Sequence, residues 1–76
     1  MTFDQYFSKV PFGTKVAWLR LLSEHLNMSL PMMRCWAYRD MRIIRKHWKD
    51  ISQFTREDES VKGLISVKDL ERAYPE

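Results

Sequence analysis

The sequence contains three conventional soft metal ligands: His25, Cys35 and His47. They are separated by ten and twelve residues, which matches no compact zinc motif, and a lone cysteine on a helix is usually inert. The two glycines, Gly13 and Gly63, stand too far apart to form a phosphate-binding loop. We therefore expect no enzyme, no metal site and no cofactor.

Residues 29–38 predict a short helix that carries different chemistry on its two faces. Helical spacing directs four residues inward, namely Met32, Met33, Trp36 and Ala37. The residues that remain for the outer surface, including the helix start, are Ser29, Leu30, Pro31, Arg34, Cys35 and Tyr38. These six residues form the candidate contact surface of this helix.

Arg34 is the outward residue whose guanidinium can donate two parallel hydrogen bonds to one guanine edge. Leu30 and Pro31 can contact thymine methyl groups, and the hydroxyls of Ser29 and Tyr38 can bond a phosphate or a base edge. This face is poor in hydrogen-bonding groups, so the alternative is a protein-interaction surface.

A second helix and a tight turn are expected to position this face. Leu19, Leu22 and Leu26 recur at helical spacing, and Asn27 tolerates the left-handed conformation that ends a helix. Ser29 can then cap the next helix, and Pro31 lies in its first turn, where an N–H is not needed. The pattern predicts a helix-turn-helix over residues 15–38. An ordinary αα-hairpin in a small bundle is the alternative.

Positive charge is concentrated directly after this motif. Residues 34–55 hold six cations against two carboxylates, a net charge of +4 in a chain whose total is +3. The open start of the helix before the turn would also offer free N–H groups to a phosphate. The residues expected to contact phosphates are Thr14, Lys15, Arg39, Arg42, Lys46 and Lys49. A solvated helix face and a helix end capped in water are the alternatives.

The remaining chain predicts three more short helices. Thr2 with Gln5, and Ser66 with Asp69, have the spacing of capping boxes, the second of which starts a helix over about residues 66–73. A cationic helix is expected to begin near Ile43 or Ile44, with residues 55–60 as a polar loop or frayed helix end. The three tryptophans lie in apolar stripes and are expected in the core. The prediction is one all-α domain, residues 1–76, of about five short helices.

Composition indicates the cellular compartment in which the protein is expected. One cysteine forms no internal disulfide and suits a reducing compartment. The start of the chain lacks a basic signal region, and no apolar run approaches the roughly 20 residues that span a membrane. A cytoplasmic protein without a membrane partner is expected.

The order of residues from Gly13 to Pro75 adds a family expectation. The positions that carry it are Gly13, Leu26-Asn27-Met28-Ser29, Trp36, Arg42-Ile43-Ile44, Ile51, Thr55, Gly63, Ile65 and Asp69-Leu70. This order resembles the small Cro-like helix-turn-helix regulators of phages and prophages. The resemblance implies a transcriptional regulator or repressor in a bacterial cell or phage-infected host. It further implies a homodimer on an operator in double-stranded DNA, with the 29–38 helix in the major groove. On this resemblance the candidates for reading DNA bases are Ser29, Leu30, Pro31, Arg34, Cys35 and Tyr38.

A second class of function keeps the same scaffold. In this alternative the protein is a small phage-type inhibitor or antitoxin that binds a protein partner through the apolar surface of Leu30, Pro31 and Tyr38.

Overall fold

Local capping groups decide where the helices begin. The computed structural model describes residues 1–39 and 41–75, so Asp40 and Glu76 lie outside it. Within the described chain there are helices and no strands, which confirms the predicted all-α class of about five helices. The helices are α1 (Phe3–Lys9), α2 (Lys15–Leu26), α3 (Leu30–Tyr38), α4 (Trp48–Glu57) and α5 (Val67–Ala73). Two 3₁₀ turns, Phe12–Thr14 and Arg45–His47, lead into α2 and α4.

Both predicted capping boxes are present. At α1 the Thr2 hydroxyl accepts the Gln5 N–H at 3.2 Å, while the Gln5 side chain accepts the Thr2 N–H at 3.0 Å. Ser66 and Asp69 make the same reciprocal pair at the start of α5. These bonds satisfy N–H groups that a helix end leaves without an internal partner, so a few residues are enough to start each helix.

The core lies between α2 and the other helices. Helix α2 packs against α3 and α4, while α1 packs on α3 and α5 on α4. Trp18, Trp36 and Trp48 are all buried, as the apolar stripes predicted. Phe3 of α1 contacts both Trp18 and Trp36, with ring centroids 6.0 and 6.3 Å apart. The first helix is therefore an integral part of the core and packs directly against α3.

The predicted start of the fourth helix is wrong. The chain is extended at Ile44, and α4 begins only at Trp48, after the 3₁₀ turn. Ile43 is fully buried and its carbonyl accepts the Trp48 indole N–H at 2.8 Å, whereas Ile44 is 49% exposed. An extended segment buries one of two adjacent isoleucines, whereas the predicted helix placed both near its inward stripe. Arg42 consequently does not lie on α4.

The polar run 55–60 is not simply a loop. Helix α4 continues to Glu57, and Thr55 is buried with its hydroxyl accepting the Ile65 N–H at 3.0 Å. Asp58 accepts hydrogen bonds from Tyr6 and Trp18. Because these partners are distant in the chain, the composition of the run does not show that it is held in place.

The start of the chain is tied to the last helix. The Met1 ammonium donates to Asp69 at 2.8 Å. Gly63 adopts a φ of +119°, and a Cβ added there would lie 2.6 Å from the Met1 methyl group. The positive φ favours glycine at this turn, whereas the flexible end of the Met1 side chain can move aside for a Cβ.

Candidate nucleic-acid interface

The predicted turn between α2 and α3 is present with its expected geometry. Asn27 has φ 55° and ψ 45°, in the left-handed region, and ends α2. The Met28 N–H donates to the Ser23 carbonyl at 2.9 Å, and the Ser29 hydroxyl caps α3 by accepting the Met32 N–H at 3.4 Å. Ser23 is buried, and its small side chain allows the close packing of α2 and α3. A three-residue connection therefore holds the two helices in one rigid unit.

The outer surface of α3 is narrower than the sequence predicted. Pro31, Arg34 and Tyr38 are exposed and follow each other at i, i+3 and i+7 along one face, with Ser29 exposed at the helix start. Leu30 and Cys35 are half-buried, and Leu30 packs against the core. The expectation of a fully outward position is thus wrong for these two, because α1 and α2 both pack against α3 and leave only one strip uncovered.

Tyr38 is held in position at one end of this strip. Its ring meets the Phe7 ring edge-on, with centroids 5.4 Å apart and an interplanar angle of 86°. Despite this contact, 62% of the surface of Tyr38 is exposed. Such a contact restricts the side chain and so lowers the entropy that a ligand contact would have to overcome.

The basic segment that follows α3 runs back alongside it. The His47 ring is tilted by 49° against the Trp36 ring, with centroids 5.6 Å apart. A small cleft is lined jointly by Met32 of α3 and by Met41 and Arg42. Burial, followed by the nearby charge of Lys46, lowers the pKa of His47. The lowered pKa disfavours the positively charged form of this imidazole.

Three of the six residues expected to contact phosphates are exposed cations without an ion-pair partner among the described residues. Arg39, Lys46 and Lys49 are exposed, and none forms an ion pair with any residue in 1–39 or 41–75. Arg39 ends α3, while Lys46 and Lys49 lie in the turn before α4 and in its first turn. The structure therefore places these cations at the end of α3 and in the segment that returns beside it.

The other three expected phosphate contacts make internal bonds. The Thr14 hydroxyl donates to Pro11 O at 2.9 Å, and the Lys15 ammonium donates to Phe7 O and lies 4.4 Å from the centre of the Phe7 ring. Arg42 donates to the carbonyls of Tyr74 and Pro75, both at 3.2 Å.

The expectation of free N–H groups at the start of α2 is also wrong. The backbone N–H of Thr14 donates to Pro11 O, and that of Lys15 donates to Phe12 O, because a 3₁₀ turn precedes the helix. Thr14 occupies the predicted N-cap position, but its side chain makes no capping bond.

Sequence reasoning missed two features near these surfaces. Phe12 projects from the turn before α2 with 92% of its surface exposed and lines a groove together with Tyr38. Asp58 accepts bonds from α1 and α2 but stands in a run that reads as a loop. The only signal for Phe12 was its place between proline and glycine, which favours a turn; no local signal identified Asp58.

Comparison of the chain with protein-family models, with curated proteins and with solved structures finds no match in any of the three. No helix in the described part of the chain is long and apolar enough to cross a membrane. Across residues 1–39 and 41–75, no three His, Cys, Asp or Glu side chains are arranged to hold a metal ion. The fold is that of a small all-α domain in which a tight turn joins α2 to α3.

Proposed function

We propose that this protein binds double-stranded DNA with sequence preference, with α3 in the major groove. The observation that carries the proposal is the exposed strip of Pro31, Arg34 and Tyr38 on a helix that a three-residue turn fixes against α2. A helix of this kind fits the major groove, where the donor and acceptor pattern distinguishes all four base pairs.

Arg34 has the central part in base reading. It is exposed in the middle of the strip and has no ion-pair partner among the described residues, so its guanidinium is available to the O6 and N7 of a guanine. Pro31 offers an apolar contact to a thymine methyl. Ser29 uses its oxygen as an acceptor for the α3 cap, which leaves its hydroxyl proton for a phosphate or base edge.

Phosphate contacts are assigned first to Arg39, Lys46 and Lys49, since these cations are exposed and make no internal ion pair within the described ranges. Lys15 and Thr14 would have to give up internal bonds to reach a phosphate. Arg42 is only partly available for a phosphate, because two of its five N–H donors bond backbone carbonyls and three remain.

The proposal extends to a biological class. We infer a Cro-like transcriptional regulator or repressor of phage or prophage origin, which acts in the cytoplasm as a homodimer on an operator with two half-sites. The support is the order of residues from Gly13 to Pro75 together with the agreement of the turn and the caps with that order. One helix makes few base contacts, so a second copy is needed for a long recognition sequence.

The direct test is selection of duplexes from a random-sequence pool with the purified protein, followed by anisotropy titration of the enriched and scrambled duplexes. We expect an enriched motif and tighter binding to it than to its scrambled form. A pool that stays random after repeated rounds, or equal affinity for both duplexes, would overturn the proposal.

A protein-binding function is the second candidate, and one observation favours it. Phe12 and Tyr38 are both largely exposed and line the same groove of about 450 Å³ beside α1. Large apolar side chains in such a groove favour contact with a protein. On this hypothesis the protein binds DNA weakly and without preference, and Tyr38→Ala abolishes binding of a protein partner.

A further inference from the structure

A separate groove of about 760 Å³ lies between α2 and the end of α4. Its apolar floor is made by Leu21, Phe54 and the edge of Trp18. The Phe54 ring lies between two others: its centroid is 5.6 Å from that of Trp18 and 5.3 Å from that of His25. Leu21 is 56% exposed at this floor, which leaves apolar surface uncovered.

The polar rim of the groove carries four carboxylates, and His25 and Ser60 are its other polar residues. Glu24, Glu57, Asp58 and Glu59 line it, and neither lysine nor arginine does. No ion pair between residues of the described chain involves any of these four carboxylates. Asp58 is stabilised by internal hydrogen bonds, whereas the three glutamates are exposed.

This concentration of negative charge is unusual for the protein as a whole, which carries a net charge of +3. Like charges beside an apolar surface repel one another more strongly than they would in bulk water, and a cation placed among them relieves that repulsion. The same field repels the phosphates of DNA, so the groove does not compete for the nucleic acid that we assign to α3.

We propose that this groove is a docking site for a cationic amphipathic peptide segment of a partner protein. Arginine or lysine side chains of the segment pair with Glu24, Glu57 and Glu59, while an apolar side chain between them covers Leu21 and Phe54. Charge complementarity selects this occupant, because the rim disfavours acidic or neutral segments that the apolar floor would otherwise accept.

The experiment uses the full chain and three capped synthetic peptides, with binding followed by calorimetry and by amide shifts in NMR spectra. The first peptide consists of Leu-Arg-Lys repeats, the second has Glu in place of Arg and Lys, and the third has Ser in place of Leu. We expect the first peptide to bind and to shift amides around the groove, the second not to bind, and the third to bind several times more weakly.

Two matched pairs of variants locate the site. E24Q/E57Q should weaken binding of the first peptide roughly fivefold and lower its salt dependence, whereas D50N/E71Q removes the same charge at exposed positions outside the groove and should change little. Leu21→Ser should weaken binding, whereas Val16→Ser should not, although both residues lie on α2 with exposures of 56% and 55%.

Three results would overturn the proposal. Equal affinity for the Leu and Ser peptides would mean that charge alone attracts them and that the floor takes no part. Equal effects of E24Q/E57Q and D50N/E71Q would place the binding elsewhere. Failure to bind the peptide, together with self-association that E24Q/E57Q abolishes, would identify a second copy of this chain as the occupant.

Discussion

The indole N–H of Trp18 donates a 2.7 Å hydrogen bond to Oδ2 of Asp58, and the Tyr6 hydroxyl donates a 2.8 Å bond to the same oxygen. The other carboxylate oxygen accepts the N–H and the hydroxyl of Ser60. Burial acts to raise the pKa of Asp58, but the bonds from Ser60, Trp18 and Tyr6 outweigh it, so the pKa lies below its usual value. Burial and the bond to Asp58 raise the pKa of Tyr6. One carboxylate thus joins α1 and α2 to the chain after α4.

Asp58→Asn should destabilise the fold by about 1–3 kcal/mol. Each oxygen of Asp58 faces an N–H that can only donate, from Trp18 on one side and from the Ser60 backbone on the other. In either orientation the new amide therefore points its NH₂ group at another donor. The measurement is urea unfolding, with Glu59→Gln as the exposed neighbouring control. Equal urea midpoints for the two variants would contradict the structural role of Asp58.

The fold should lose stability in acid partly through Asp69. Hydrogen bonds from the Met1 ammonium and the Ser66 N–H lower the pKa of Asp69 from 3.8 to about 2. A carboxylate with a lowered folded-state pKa contributes stability that is complete above its unfolded pKa and is lost as the pH falls from about 4 toward about 2. The stability difference between the native protein and Asp69→Asn, measured by urea unfolding at a series of pH values, should shrink across this range. A difference that stays constant with pH would show that the charge of Asp69 has no part in it.

Trp36→Ala should unfold the domain or come close to it. Trp36 is buried against Phe3 and His47, and removal of a buried tryptophan costs about 3–5 kcal/mol, a large share of the stability of so small a domain. Tyr38→Ala on the same helix removes an exposed ring and should cost much less. Circular dichroism during heating checks both. If Trp36→Ala melts with the native protein but loses DNA binding, Trp36 is a ligand contact and the assigned faces of α3 are wrong.

Arg34 and Lys46 should affect DNA binding in different ways. Arg34→Ala should cost roughly 1–3 kcal/mol on the preferred duplex and much less on a scrambled one, because a bidentate contact to guanine carries discrimination. Lys46→Ala should weaken both duplexes alike and reduce the slope of log K against log salt by about one unit, because one phosphate no longer releases its counterion.

Arg72→Ala serves as the control for these two variants, since it removes an exposed cation on α5, away from α3. Anisotropy titrations at several salt concentrations measure all three. If Arg34→Ala and Arg72→Ala lose affinity equally on both duplexes, the role of Arg34 in base reading is excluded.

Operator binding should require two copies of the protein. We expect a duplex with two half-sites about one helical turn apart to bind two copies cooperatively, and a duplex with one half-site to bind weakly. Sedimentation of the complexes gives the stoichiometry, and a duplex with the spacing changed by half a turn is the control. The dimer is contradicted if each half-site binds one copy with the same affinity whatever the spacing.

Local sequence determined most of the helices. The capping boxes of Thr2 and Ser66, the left-handed Asn27 and the Ser29 cap all involve residues a few positions apart, so their bonds form with little dependence on the rest of the fold. The burial of the three tryptophans was likewise predictable, because each lies in or beside an apolar stripe of its own helix. The outer strip of α3 was predictable as a periodic pattern, although the DNA contacts assigned to it stay predictions.

Only the tertiary structure decided which polar and apolar residues near these helices are available. Ile43 is buried and Ile44 exposed because the Trp48 indole bonds the Ile43 carbonyl and the segment docks in an extended form. Lys15 and Arg42 look like free cations in the sequence, yet backbone carbonyls from other segments engage them. Asp58 stands in a polar run but receives its hydrogen bonds from helices 40 to 52 residues earlier in the chain. Such pairings depend on which distant segments meet in the folded chain. Neither the composition nor the helical period of a segment specifies its distant partners.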